Sequence, residues 1–338
     1  PLNNVFVPFS QGKMPIVRGL WHLMDDHMRS NKLVSERIKH FKPDIMHSNT
    51  LAGLGADIWR VAHRLGIPIL HTLHDYYLTC PRCSRFKHDD TCKSTCASCA
   101  LTTVARRSKI KYLSALVGVS RRVIEIHEEL GLFSQTPIRG VVRNASAPLK
   151  AVPRVSTDSN LVLGYMGRIT AEKGIHSLVA SIASIPRGRV SLVIAGRIDD
   201  ATIAELRALA PQADIRFLGY VKPEDFFREV DIVAVPSLWE EPGSLVIEEA
   251  LAAGRPVIAS PYGGSPEAIE AGKTGWIVEP RPAELKALIS RLALAPNEIR
   301  RMQSQLIEKT SHRTMQDVTS SYIDLYRQVL ALPKRVFA

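Results

Sequence analysis

The stretch LVLGYMGRITAEKG, residues 161–174, joins an apolar run to a glycine, two cationic side chains and a second glycine. Leu161 to Met166 has the length and composition of a buried strand. Gly167 lets the backbone turn tightly and come close to a ligand. The residues from Ile175 to Ser184 then carry a helical pattern. A strand, a glycine turn bearing Arg168 and Lys173, and a helix make one βα step of a parallel sheet. Two cations beside a helix start suit a diphosphate, because the free N–H groups and the helix dipole add to the attraction. The plain alternative is a solvated turn with ordinary surface charges.

The same alternation continues outward. Val190–Ala195, Ile215–Leu218, Ile232–Val235, Pro256–Ala259 and Trp276–Val278 are further strand-like runs, with helix-like segments at Thr202–Ala210 and Leu245–Ala253. Ligands of such sheets bind beyond the carboxyl ends of the strands. The first half repeats the pattern less fully. Asp44–His47, Pro68–Leu73, Ala115–Ser120 and Ile138–Arg143 read as strands, and Val17–Phe41, Gly55–Leu65 and Arg121–Leu130 as helices. Ala147 to Asn160, rich in Pro, Ser and Thr, reads as a linker, and Met315–Leu332 as a long terminal helix. The chain opens Pro1-Leu2-Asn3-Asn4, and the expectation is that the first strand and first ligand loop of the N-terminal domain are missing.

A second constellation follows Ile232–Val235: Glu240-Glu241-Pro242-Gly243-Ser244-Leu245, running on to Glu248-Glu249-Ala250. Pro-Gly-Ser is a helix-start signal, with Ser244 the expected N-cap. Glu241 would stand in the loop and Glu249 one to two turns into the helix. That spacing lets one carboxylate accept hydrogen bonds from sugar hydroxyls and the other meet a ribose. Otherwise it is an acidic helix start stabilised by the dipole.

With 338 residues, two domains are expected. No apolar run reaches the ~18–20 residues that cross a bilayer. Of the 44 Lys and Arg and 33 Asp and Glu, residues 1–150 hold 22 basic and 11 acidic side chains, while residues 151–338 hold 22 of each. A cationic first half points to an anionic membrane surface, an acidic acceptor or a nucleic acid.

The two constellations, in this order, resemble the GT-B retaining glycosyltransferases of family 4, also called glycosyl transferases group 1. Gly167-Arg168 to Lys173-Gly174 resembles the family's phosphate loop. Glu241-x7-Glu249, Ala250 and Gly254-Arg255-Pro256-Val257 resemble its acidic element and following strand entry. Gly263-Gly264-Ser265-Pro266-Glu267, Thr274-Gly275, His74-Asp75, Val119-Ser120 and Asn144 also match, whereas Gly243-Ser244 and Ala145 depart from the usual residues. The resemblance implies an α/β fold with two Rossmann-like domains facing each other across a cleft, the N-terminal one incomplete. Its boundaries fall at 1–150 (acceptor side, with a Cys-rich loop 76–101), 151–318 (nucleotide-sugar binding) and 319–338 (a helix crossing back).

The resemblance further implies that Arg168 and Lys173 hold the donor diphosphate, Glu249 the ribose and Glu241 the transferred sugar. His74 would face that sugar from the opposite domain, so that Glu241, His74, Arg168 and Lys173 form the catalytic set. Gly167, Gly196, Gly243, Ser244 and Leu245 complete the nucleotide-sugar site. A UDP- or GDP-linked sugar would pass to a glycan or lipid-linked acceptor with retention, by front-face attack. The chain has no Asp-x-Asp motif, so no cofactor is expected in catalysis, and the two cations and the helix near Leu245 would neutralise the leaving diphosphate.

All five cysteines lie between Cys80 and Cys99. Cys80-x2-Cys83 and Cys96-x2-Cys99 have the paired spacing of a structural zinc or iron–sulfur site, the alternative being free thiols in a surface loop. Arg106, Arg107, Lys109, Lys111, Arg121 and Arg122 form a basic cluster suited to anionic lipid or to an ordinary solvated face. His47, His63 and His71 read as structural. The expected partners are a nucleotide-sugar, a glycan or lipid-linked acceptor and the membrane surface, without nucleic acid. The expected place is the cytoplasm, peripheral on the inner face of the plasma membrane. Two rival readings are a basic cysteine-knuckle nucleic-acid binder and a nucleotide-sugar epimerase or inactive glycan-binding relative.

Overall fold

The computed structural model describes residues 32–145, 149, 160–308 and 313–333. The chain divides into two compact units, the first running through Lys87, from Thr91 to Arg143 and again from Thr319, the second from Asn144 to Val318 together with His88–Asp90. The remainder of the expected helix from Val17, and most of the expected linker, lie outside the described residues.

In chain order the first unit places α1 (Lys32–Phe41), β1 (Met46–Ser48), α2 (Asp57–Arg64), β2 (Ile69–Leu73), a short hairpin of β3 (Phe86–Lys87) and β4 (Asp90–Thr91), α3 (Ala97–Arg107), β5 (Ala115–Gly118), α4 (Arg121–Glu129) and β6 (Ile138–Val141). Its sheet runs β1-β2-β5-β6, all parallel. Every residue of β2 and β5 is buried, as expected of strands covered on both faces. Two of the three structural histidines are hydrogen-bonded within this unit. His47 meets the Tyr326 hydroxyl at 2.7 Å and Thr72 Oγ1 at 2.8 Å, and Tyr322 reaches Thr72 at 3.0 Å, fastening the end of the chain to β1 and β2. His71 meets Ser48, which also accepts from Trp59 Nε1 at 2.9 Å. His63 lies against the Tyr112 ring, centroids 4.8 Å apart.

The second unit continues with β7 (Leu161–Met166), α5 (Ile175–Ile182), β8 (Val190–Ala195), α6 (Asp200–Leu209), β9 (Asp214–Gly219), α7 (Pro223–Glu229), β10 (Ile232–Val235), α8 (Leu245–Ala252), β11 (Val257–Ala259), β12 (Gly275–Ile277), α9 (Pro282–Ala293) and α10 (Pro296–Glu308); α11 (Met315–Leu330) follows and from Thr319 onward belongs to the first unit. Its parallel sheet has the order β12-β11-β10-β7-β8-β9. On α5, Ile175, Leu178, Val179 and Ile182 are all fully buried against this sheet. Their i, i+3, i+4, i+7 spacing is the apolar stripe of an amphipathic helix, and each contributes about 1.5–3 kcal/mol of burial.

The strand order reverses between β7 and β10. From β7 the chain moves through β8 to β9 on one side, then returns to fill β10, β11 and β12 on the other. The loops after β7 and β10 therefore diverge at their carboxyl ends, where sheets of this kind open a crevice for a ligand. Several motif residues serve the fold instead. Arg255 is buried with its Nε donating to Phe227 O at 2.9 Å, and a Cβ on Gly275 would stand 2.1 Å from Val257 O.

The expected Cys-rich loop 76–101 ends in a helix: α3 begins at Ala97, with Cys96 at its N-cap, and runs on to Arg107.

Candidate active site

β7 delivers the chain to Gly167, whose φ of +152° is open to glycine. Its N–H donates to Ala195 O at 3.0 Å. A Cβ on Gly196, the residue after β8, would lie 2.1 Å from Gly167 O, so the two strand ends meet backbone to backbone. Tyr165 fixes the turn by donating its hydroxyl to Arg168 O at 2.6 Å. A short 3-10 turn, Ala171–Lys173, then closes on Gly174 at φ +70°.

Gly174 brings the two diverging loops together. A Cβ there would sit 1.8 Å from Pro236 O, and Leu238 N–H donates to Glu172 O at 2.8 Å. Backbone contact at Gly174 sets the partners of Lys173. Its Nζ is 2.5 Å from Glu241 Oε1 and lies over the Trp239 ring, 5.7 Å from the centroid. The other oxygen of Glu241 accepts from Ser237 Oγ at 2.5 Å. Glu241 is only 6% exposed, and both its oxygens are engaged by donors, as a buried carboxylate requires. The loop after β11 supports it from behind, with Gly264 N–H donating to Glu241 O at 2.8 Å and Gly263 N–H to Glu240 Oε2 at 2.7 Å.

Arg168 differs from Lys173. Its side chain is 68% exposed, and its nearest carboxylate, Glu172, is 3.8 Å away. A pair that open contributes little, so the guanidinium is available to an incoming anion. Across the crevice α8 starts at Leu245. Ser244 occupies its N-cap position, but the hydroxyl makes no capping bond, contrary to the sequence expectation. The first N–H groups of α8 are thereby left to water or a ligand. Asn144 Nδ2 approaches Gly243 O at 3.5 Å. Glu249, on the next turn of α8, is half-buried; burial, with the charge of Glu224 added, holds its carboxyl above the ordinary range.

Gly167, Arg168, Lys173, Gly196, Glu241, Gly243, Ser244 and Leu245 thus stand on three loops at the carboxyl ends of β7, β8 and β10, with Glu249 on the helix leaving the last. Sequence reasoning missed Ser237 and Trp239, which hold Glu241 and Lys173, and did not single out Gly263 as their backbone support. Their only advance signal was position, a few residues beyond a strand end.

His74 belongs to the first unit, directly after β2. Its Nε2 lies 3.0 Å from Asn49 Oδ1, and the surrounding protein, by desolvating the ring, lowers its pKa. The neighbouring Asp75 accepts from Tyr77 N–H at 2.7 Å and is pushed up by burial.

The cysteines lie near one another, Cys99 within electrostatic reach of Cys96, Cys80 and Cys92. Among the described residues no three His, Cys, Asp or Glu side chains are placed to hold a metal ion, and all five thiols are free. Cys83 sits at φ +62° in a tight turn, its N–H donating to Cys80 O, and burial pushes its thiol far up, with the charge of Asp75 adding. Cys96 is instead exposed at the start of α3, its Sγ 3.3 Å from Ser98 Oγ.

The family model of glycosyl transferases group 1 matches residues 150–311, and that of glycosyltransferase family 4 matches residues 13–137. A Klebsiella pneumoniae protein described as an uncharacterized 42.6 kDa protein in the cps region is 29% identical over 269 residues, 79% of this chain and 71% of its own length. A D-inositol 3-phosphate glycosyltransferase of Corynebacterium jeikeium is 34% identical over 148 residues, 39% of this chain and 35% of its own. Among solved structures, Anabaena HepE in complex with UDP has a TM-score of 0.67 at 19% identity, covering 89% of this chain and 81% of that one. The fold is GT-B, with two Rossmann-like units. None of these matches favours the nucleic-acid-binding, epimerase or inactive readings.

Proposed function

Since the chain belongs to the glycosyltransferases of the group 1, family 4 type and is an enzyme of that kind, we propose that it moves a sugar from a nucleotide-sugar to a glycan or lipid-linked acceptor, retaining the anomeric configuration. One observation carries this reading: the contact of Lys173 with Glu241 at the point where the strand order reverses. It sets a cation and a buried carboxylate side by side, with a second cation, Arg168, on the same loop.

In this scheme the donor diphosphate lies against Arg168, Lys173 and the first N–H groups of α8. Glu249 accepts from the ribose hydroxyls. As the glycosidic bond breaks, negative charge grows on the leaving phosphate oxygens, and the fixed cations and amides meet it without reorganising. The departing phosphate takes the acceptor's proton, so no protein nucleophile is needed. Ser237 and Trp239 act through Glu241 and Lys173 as positioning residues. His74 is proposed as a contact to the transferred sugar, and UDP is the favoured nucleoside diphosphate, because the structural neighbour HepE is described in complex with it. No helix among the described residues is long and apolar enough to cross a membrane; the basic first half supports the proposal of a peripheral position beside a lipid-linked acceptor.

The test is a donor screen by mass spectrometry, in which the protein is offered UDP- and GDP-sugars with extracted lipid-linked glycans. A product one hexose or N-acetylhexosamine heavier, abolished by Arg168→Ala, is expected. Sugar interconversion without acceptor modification would overturn the reading.

A further inference from the structure

The basic cluster noted in the sequence is not one surface. Arg106 is fully buried, with Nη1 donating to Tyr77 O at 2.6 Å and the guanidinium 3.7 Å over the Tyr77 ring. It is a bolt between α3 and the loop that follows His74. Lys109 is drawn 3.7 Å from Asp57, and Arg122 pairs with Glu129 at 2.8 Å. Arg121 is also engaged, and Lys111 lies over the Tyr112 ring, 5.3 Å from its centroid. Neither Arg107 nor Lys111 has a carboxylate partner among the described residues.

These two cations border a recess of about 150 Å³ between the end of α3 and the loop after α4, lined also by Ser108, Phe133, Ser134 and Thr136, with no carboxylate in its lining. The neighbouring acids are engaged elsewhere: Glu128 takes Arg139 at 2.8 Å, and Glu129 takes Arg122. The recess is therefore cationic without local compensation. Beside it, α3 exposes large apolar side chains, Leu101 at 66% and Val104 at 53%. Leu101, Val104 and Ser108 follow one another at i, i+3, i+7, so the apolar pair and the rim of the recess share one helix face.

We propose that this face of α3 is the surface on which the protein rests on an anionic phospholipid membrane. Leu101 and Val104 enter the headgroup boundary, and Arg107 and Lys111 hold a lipid phosphate over the recess. An exposed apolar pair next to uncompensated positive charge is the pattern of an interfacial helix. Position favours it as well. α3 leads from the loop beyond β2, which carries His74, back to the amino end of β5. Its eleven residues span about 16 Å at 1.5 Å per residue.

The inference rests on the peripheral membrane reading above and names its surface. The protein is sedimented with vesicles of phosphatidylcholine alone and with phosphatidylglycerol added, at low and raised salt. Binding is expected only to the anionic vesicles, weakening with salt. At about a factor of six per basic residue near the surface, Arg107→Gln with Lys111→Gln should lower partitioning roughly 30-fold. Leu101→Gln with Val104→Gln should lower it about tenfold or more. The control pair Lys87→Gln with Lys93→Gln should change it little. Circular dichroism checks that each variant is folded.

If the wild type ignores anionic vesicles, the membrane reading falls and this surface with it. If it binds but the α3 variants bind equally well, or the control pair weakens binding as much, only the surface is overturned. Saturable binding of inorganic phosphate at the recess without vesicle binding would overturn the lipid as occupant. Vesicle partitioning needs no donor, so loss of transfer activity alone leaves the proposal standing.

Discussion

Replacing Glu241 by glutamine keeps the shape of the side chain and removes the charge that Lys173 faces. The pair is short, 2.5 Å, and its members are 18% and 7% exposed. Stranding one member of a buried ion pair costs about 3–5 kcal/mol. Lys173 keeps some access to water, which places Glu241→Gln near the lower end, about 3 kcal/mol. In a unit of the size of the second one, each kcal/mol moves Tm by roughly 2–4 °C, so a fall of about 6–12 °C is expected. Lys173→Met leaves the Glu241 carboxylate with Ser237 alone and should cost a similar amount. The double variant Lys173→Met/Glu241→Leu strands no charge. It should be more stable than the sum of the two losses predicts by about 2 kcal/mol or more, the coupling expected of contacting residues. Calorimetric or denaturant unfolding at neutral pH measures all three. Strictly additive losses would refute the reasoning, because they would mean that the two groups do not feel one another in solution.

Gly196→Ala should weaken binding of a nucleoside diphosphate and destabilise the second unit by more than the about 1–3 kcal/mol of backbone strain alone, because the new Cβ would lie 2.1 Å from Gly167 O; thermal shift with and without UDP reads both effects. Cys96 should be the first thiol alkylated by iodoacetamide near pH 7.5, since its hydrogen bonds to Ser98 and Cys99 bring it down to about 7, whereas burial pushes Cys99 up to about 12; peptide mapping that finds Cys99 modified first would contradict this. Burial lowers His47 and His127 to about 4 and His71 to about 3. The unfolded chain, with ordinary histidines near 6.5, therefore binds more protons than the folded one between about pH 6.5 and pH 4, and stability falls as pH drops through that window. Hydrogen exchange at pH 7 and pH 5 should show the first unit, which holds all three, loosening first.

The βα alternation and the glycine turns of the second unit were legible in the sequence because they follow from local pattern. Leu161–Met166 was placed at its exact ends, and the carboxyl ends of β7 and β10 were marked by Arg168, Lys173 and Glu241. The pairing inside the site was not legible. Lys173 and Glu241 are 68 residues apart, and only the close approach of Gly174 to Pro236 O makes them neighbours. Nor does sequence separate a buried Arg106 from an accessible Arg107, since the difference is which side of one helix meets Tyr77. α3 was missed because its first turns carry Cys99, Thr102 and Thr103, weak helix formers; packing around Arg106 outweighs that preference. The cysteine spacing, a local signal, suggested a metal cage; among the described residues no three His, Cys, Asp or Glu side chains are placed to hold an ion.

The most direct measurement is an isothermal titration of UDP into the wild-type protein and into Lys173→Met. A charge-assisted hydrogen bond to the diphosphate contributes about 1.5–3 kcal/mol, so the variant should bind roughly 10- to 150-fold more weakly. A folded Lys173→Met protein that binds UDP as tightly as the wild type would show that the crevice beside β7 and β10 does not hold the donor.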